Sequence, residues 1–201
     1  MTAPARVRQP RLGADVRREQ ALDAALAIIV RDGYAAVNME AVAREMDVAK
    51  PVVYSAWGDL QSLLVALLDR EETRAFTQLA EALPDVSRAG PGALIEAWTG
   101  QLAHTVHAHP DTWRLMLLPA DGTPPQVRER VDEGRRVVLA QLRSMLGPLL
   151  PDGVDAELAA HAVLAVAEHL GRLMLADPAA YPPERLVPFA TGALRRLGVL
   201  F

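Results

Sequence analysis

The run VAREMDVAKPVVYSAWGDLQSLL, residues 42–64, decides the fold. Both ends read as helix, yet the middle holds Asp47 and then Lys50, the chain's one lysine, followed at once by Pro51. A proline deep in a helix removes a hydrogen bond and clashes with the preceding turn, but in the first turn its missing N–H is not needed. Pro51 therefore starts a short helix, near residues 50–56. Asp47 falls where the chain must reverse, a position that asks for left-handed backbone; glycine is cheapest there, and Asp tolerates it better than most residues. Asn38 caps a short helix before the turn, near residues 39–46, and Asp59 caps a long one after it, running to about residue 83.

Two short helices three or four residues apart, with a first helix over residues 16–31 packed across them, make a helix-turn-helix. Its second helix is the one presented to the DNA major groove. Val48 and Val53 then face inward. Lys50 can neutralise a phosphate, Val52 can meet a thymine methyl, and Tyr54 and Ser55 can bond a phosphate or a base edge. The candidate DNA-binding set is Arg18, Asn38, Lys50, Pro51, Val52, Tyr54 and Ser55, and the helix start at Asp59 offers a further phosphate contact.

Residues 17–64, roughly a quarter of the chain, resemble the DNA-binding domain of the TetR (tetracycline repressor) family. The arginine-bearing first helix, Gly33-Tyr34, the capped second helix, Val48 and Lys50, Tyr54, Trp57 and Leu63-Leu64 fall at that family's spacing. The resemblance implies an all-helical homodimeric repressor whose variable C-terminal domain binds a small molecule and dimerises through its last two long helices. Four positions depart from the pattern: Asp47 stands for the usual glycine, Ala49 for a serine cap, Ala56 for an aromatic or histidine, and Leu60 for a lysine. A second reading follows from the last three, a helical module of the same fold that binds a small molecule or protein partner and has lost DNA binding.

The rest of the chain agrees with an all-α fold. Its 201 residues, 51% hydrophobic and 23% charged with a mean hydropathy near zero, have a soluble globular composition and can bury a substantial core. There is no alternating strand pattern and no internal repeat. The absence of cysteine excludes disulfides, thiol catalysis and cysteine-ligated zinc. No signal-peptide core and no run approaching a membrane span is read, so the expected location is cytoplasmic. Five arginines against Asp15 and Glu19 put the first twenty residues at +3 and the remainder at −7. A basic arm on an acidic body suits local contact with a polyanion, and Arg6, Arg8, Arg11, Arg17 and Arg18 read equally as a solvated tail or a minor-groove arm, Arg18 being the strongest DNA candidate of the five. The division expected is an arm over 1–15, a helix-turn-helix domain over 16–58, and a ligand-binding and dimerisation domain over 59–201 that opens on the connecting helix 59–83.

Further helices are expected over 93–108, around 113–117, from the Pro124-Pro125 pair to about 146, over 155–176 and over 183–197. Trp98, Leu102 and Thr105 recur on one face with Gln101 beside them, and Trp113, Met116 and Leu117 follow. Aromatic, flexible and hydrogen-bonding groups of this kind line small-molecule pockets, although they also simply pack. Arg135, Val138 and His169 complete the candidate ligand set, with Arg135 and His169 as anchors for an anionic ligand. The alternative readings are an ion-paired Arg135 and a core His169. His161, Glu157, Glu168 and Arg172 read as a solvated or subunit-facing ladder.

The candidate dimer face is Ala159, Ala162, Val163, Val166, Leu170 and Leu173 on the penultimate helix, with Leu186, Phe189, Ala193, Leu194 and Leu197 on the last. His104, His107 and His109 match a metal search by spacing, but a wet helix end explains them equally well, and no metal or cofactor is assigned. A helical metalloenzyme built on them is a third and remote reading. No nucleophile elbow, phosphate loop or apolar carboxylate pair points to an enzyme.

Overall fold

The computed structural model describes residues 13–82, 91–117 and 123–196. Every regular element among them is helical: α1 Ala14–Asp32, α2 Met39–Glu45, α3 Lys50–Trp57, α4 Leu60–Glu81, α5 Pro91–Ala108, α6 Pro110–Leu117, α7 Pro125–Leu146, α8 Ala156–Ala176 and α9 Pro183–Arg196. Single 3-10 turns occupy Tyr34–Ala36 and Gly147–Leu149. The basic arm with Arg6, Arg8 and Arg11, and Leu197 at the other end, lie outside the described residues. Three starts differ from expectation, α1 at Ala14, α5 at Pro91 and α6 at Pro110. Each proline opens its helix rather than ending the previous loop, because a first turn needs no N–H from it.

Local chemistry sets the turns. Asn38 Oδ1 accepts from the N–H groups of Glu40 and Ala41 at 3.1 and 2.8 Å, closing the start of α2. Asp47 holds φ +52°, the left-handed turn expected of it, and among the described residues no other side-chain-bearing residue has a positive φ. Ala49 opens α3 without a side-chain cap. Gly58 ends it at φ +71°, and Asp59 accepts from Ser62 N–H at 2.7 Å to begin α4. That bond holds the Asp59 carboxyl below its ordinary pKa. Replacing Asn38 with alanine should cost about 1 kcal/mol of unfolding free energy, read by urea denaturation, because two backbone donors lose their acceptor.

The N-terminal core gathers α1, α2 and α3 around α4. Ala21, Ala25, Val42 and Val53 are wholly buried, as are Leu63 and Leu67 of α4. This core does not stop at residue 58: Leu63, Leu64, Leu67 and Leu68 belong to it, and so do Leu115 of α6 and Val127 of α7. At 1.5 Å per residue the 22 residues of α4 span about 33 Å, and its second half carries Ala75 and Leu79 into a separate cluster with Val106, Trp113, Met174, Leu175 and Leu186. A third cluster of Leu142, Leu146 and Ala160 joins α7 to α8. One helix thus runs through both halves of the molecule.

The expectation that no run approaches a membrane span needs correction at α8. Its 21 residues are long and apolar enough to cross a membrane, with a mean hydropathy of 1.3 over their most apolar stretch. In this fold α8 packs against α6 and α7, with Gly171 allowing a close approach to Leu117 and Glu168 paired to Arg135.

Candidate DNA-reading helix and ligand cavity

Val53, fully buried, fixes α3 by one face to the N-terminal core. The opposite face holds Lys50, Pro51, Tyr54 and Ser55 exposed, while Val52 is half-buried. Tyr54 is 42% exposed, a large ring left partly in solvent. The Lys50 ammonium lies 5.8 Å from the Tyr54 ring centroid and 3.6 Å from a Glu40 carboxylate oxygen. Both partners of that ion pair are exposed, and such a pair contributes little, so Lys50 can leave Glu40 for a phosphate at small cost.

Two members of the candidate DNA set are occupied elsewhere. Arg18 donates from Nε to the Ala56 carbonyl at 3.2 Å and stacks 5.8 Å from the Trp57 ring, while Trp57 Nε1 donates to the Arg18 carbonyl at 3.4 Å. It clasps α1 to the end of α3. Asn38 spends its side-chain oxygen on the α2 cap and donates from Nδ2 to the Ala36 carbonyl. Periodicity places both residues near the groove face but says nothing about which atoms are already bonded.

Between α4, α5, α6, α7, α8 and α9 lies a cavity of about 720 Å³, in the size range of small-molecule sites. Trp98, Leu102, Trp113, Met116, Leu117, Arg135 and Val138 line it. Gln101, Thr105 and His169 do not, and each is a correction. The wall face of α5 continues from Trp98 and Leu102 through Thr99, Ala103 and Val106, which puts Gln101 and Thr105 to the side. His169 is exposed, and the cavity side of α8 is carried by Val163, Ala167, Glu168, Leu170 and Gly171.

Glu168, read from sequence as part of a solvated ladder, therefore belongs to the wall, with its side chain 15% exposed. Arg135 Nε donates to it at 2.7 Å, and that bond raises the guanidinium pKa further above its ordinary value. Glu72 and Arg130, not singled out from sequence, also line the cavity, paired at 2.9 Å. The sign available in the sequence was Glu168 four residues before Arg172, a helical ion-pair spacing. The two are 3.6 Å apart.

The candidate dimer face divides. Val163, Leu170, Leu186 and Leu194 line the cavity instead of facing outward, because the same apolar helix faces also close the protomer's own core. Val166 lines it too, while remaining 39% exposed. Ala159, Leu173 and Ala193 are half-buried, and Ala162 and Phe189 are exposed, Phe189 at 63%. Leu158, absent from the candidate set, is 67% exposed. His104, His107 and His109 are all exposed, and among the described residues no group of three His, Cys, Asp or Glu could hold a metal ion.

α6 stands between the two sites. Trp113, Met116 and Leu117 meet the cavity, Leu115 enters the N-terminal core, and Thr112 donates to buried Glu71 of α4 at 2.6 Å. Glu71 also accepts from Arg70 and Arg74 at 2.9 and 2.8 Å, and Arg70 continues to Glu19 and Asp23 of α1 at 3.0 and 2.7 Å. Burial works against the Arg70 charge, and the bonds to Glu19 and Asp23 more than offset it.

A helix-turn-helix with an exposed second helix, joined by one long helix to a cavity-bearing helical body, puts a surface suited to DNA and a cavity suited to a small molecule on one chain. Residues 21–67 match the family described as bacterial regulatory proteins, tetR family. The HTH-type transcriptional repressor KstR of Mycolicibacterium smegmatis is 42% identical over 77 residues, covering 37% of this chain and 38% of that protein. The chain matches between 38% and 54% of the length of its curated relatives. In overall fold it is similar to a TetR-like transcriptional regulator from Rhodococcus sp. RHA1, with a TM-score of 0.74 and 22% identity over 93% of this chain and 98% of that one. The transcriptional regulator FadR from Bacillus subtilis, in complex with stearoyl-CoA, superposes with a TM-score of 0.68 at 16% identity, over 89% and 96% of the two chains. The match to the tetR family lies within residues 21–67, the helix-turn-helix and the first part of α4.

Proposed function

We propose that this protein is a ligand-responsive transcriptional repressor that binds a palindromic operator as a homodimer and is released by a small apolar or aromatic effector. The observation that carries the DNA-binding half is α3, anchored by buried Val53 and offering Lys50, Tyr54 and Ser55 to solvent. Each subunit gives one such helix to a half-site, the two half-sites lying about 34 Å apart. The 720 Å³ apolar cavity supports the effector half, and a relative of the same fold holding stearoyl-CoA agrees with it. Release requires the effector to prefer a conformation whose recognition helices no longer match the half-sites, and the shift is limited by that difference in affinity. α6, with one side on the cavity and another in the N-terminal core, is the element suited to carry it, and α4 is the lever.

The test is fluorescence anisotropy on DNA from the gene's own upstream region at several salt concentrations. Lys50→Ala should weaken binding and reduce the log–log salt slope by about one, since one phosphate contact is lost. Unchanged affinity and slope, with the helical signal intact, would reject α3 as the reading helix.

A further inference from the structure

Among the described residues, four titratable side chains line the cavity: Glu72, Arg130, Arg135 and Glu168. They form two closed sets. Arg130 donates to Glu72 at 2.9 Å and to Asp69 at 2.8 Å. Arg135 donates to Glu168 at 2.7 Å and lies 3.4 Å from Asp132, while Arg172 reaches the other oxygen of Glu168 at 3.6 Å. Four carboxylates thus face three guanidiniums, and each cation on the wall already holds two anions.

A ligand carboxylate entering this space meets no unpaired cation. To reach Arg135 it must compete with Glu168, which is largely buried and, once displaced, would keep only Arg172 at 3.6 Å, and weakening a part-buried pair in this way is unfavourable. Apart from Thr99, the remaining wall is apolar. An uncharged ligand disturbs neither ion-pair set and gains the full transfer of its apolar surface from water.

We propose, on the reading that this cavity is the effector site, that Glu168 makes it selective for uncharged apolar ligands by holding Arg135 and Arg172 away from anions. Esters, alcohols and ketones of long or polycyclic hydrocarbons belong to that class, and free carboxylic acids do not. Glu168 is then a specificity-determining residue. Of the two sequence readings of Arg135, the ion-paired one is taken here over the anchor for an anionic ligand, because its guanidinium is already held by Glu168 of the neighbouring helix α8.

The experiment is calorimetric titration of decanoate, methyl decanoate and decanol at pH 7 into the wild type, Glu168→Gln and Asp132→Asn. In the wild type the ester and the alcohol should bind about tenfold more tightly than decanoate. Glu168→Gln should improve decanoate about tenfold and leave the two neutral ligands within about threefold. Asp132→Asn, which removes the exposed partner of Arg135, should move decanoate the same way by less, and keeps the test open if Glu168→Gln fails to fold. Decanoate binding the wild type as tightly as the ester, or a preference that neither variant changes, overturns the selectivity and leaves the effector site standing. Binding of none of the three overturns the effector-site reading together with the proposal.

Discussion

Replacing Phe189 with glutamate should yield monomers whose operator affinity falls roughly a hundredfold, about 2.8 kcal/mol. Phe189 of α9 and Leu158 of α8 are 63% and 67% exposed, large apolar surfaces on the last two helices that the single chain leaves in water. A contiguous exposed apolar patch marks an interaction site, and the proposed dimer would place these two side chains in one. Ala162, exposed on α8, and half-buried Ala159 would allow a second helix to approach closely. A glutamate placed in a two-fold interface occurs in it twice, so two charges are desolvated at once. Loss of the dimer also separates the two reading helices, and the second half-site is no longer bound at high effective concentration. Sedimentation velocity at micromolar protein checks the assembly, and anisotropy on the operator checks the affinity. Glutamate at Val65, 46% exposed on α4, serves as the control and should leave assembly unchanged. A wild type that sediments as a monomer would remove the dimer model altogether.

The largest expected loss of stability is at Glu71, whose side chain is fully buried. Glu71→Leu keeps much of the volume but removes the acceptor of Thr112 Oγ1, Arg70 and Arg74 together. Taking one partner out of a buried ion pair costs about 3–5 kcal/mol, and the lower end applies because Arg70 keeps Glu19 and Asp23. For a chain of this size that corresponds to a fall in Tm of about 6–12 °C, read by thermal unfolding followed by circular dichroism. A change in Tm below about 2 °C would mean that the network contributes little.

These two residues differ in how far the sequence announces them. Phe189 stands on an apolar stripe and was a candidate for the dimer face. Glu71 sits among charged residues, Arg70, Glu72 and Arg74, and looks from sequence like part of a solvated face. Its burial arises because α6 folds back across α4 and covers it with Thr112, an event 41 residues along the chain.

What the sequence by itself determined is local. The helix starts at Asn38 and Asp59, the left-handed Asp47, the opening of α3 at Pro51 and the inward Val53 all follow from steric and hydrogen-bonding rules that act within a few residues. What only the tertiary structure decided is which of several available neighbours each face and charge meets. Apolar period identifies the stripe of α8 but not whether Val163 and Leu170 turn to a cavity or to a second subunit, and they turn to the cavity. Glu168 likewise had Arg172 one turn away in sequence, yet its shorter contact is Arg135, 33 residues distant on α7. Helical period fixes direction around an axis, whereas a partner is fixed only when two axes are packed, and that information is carried by no single segment.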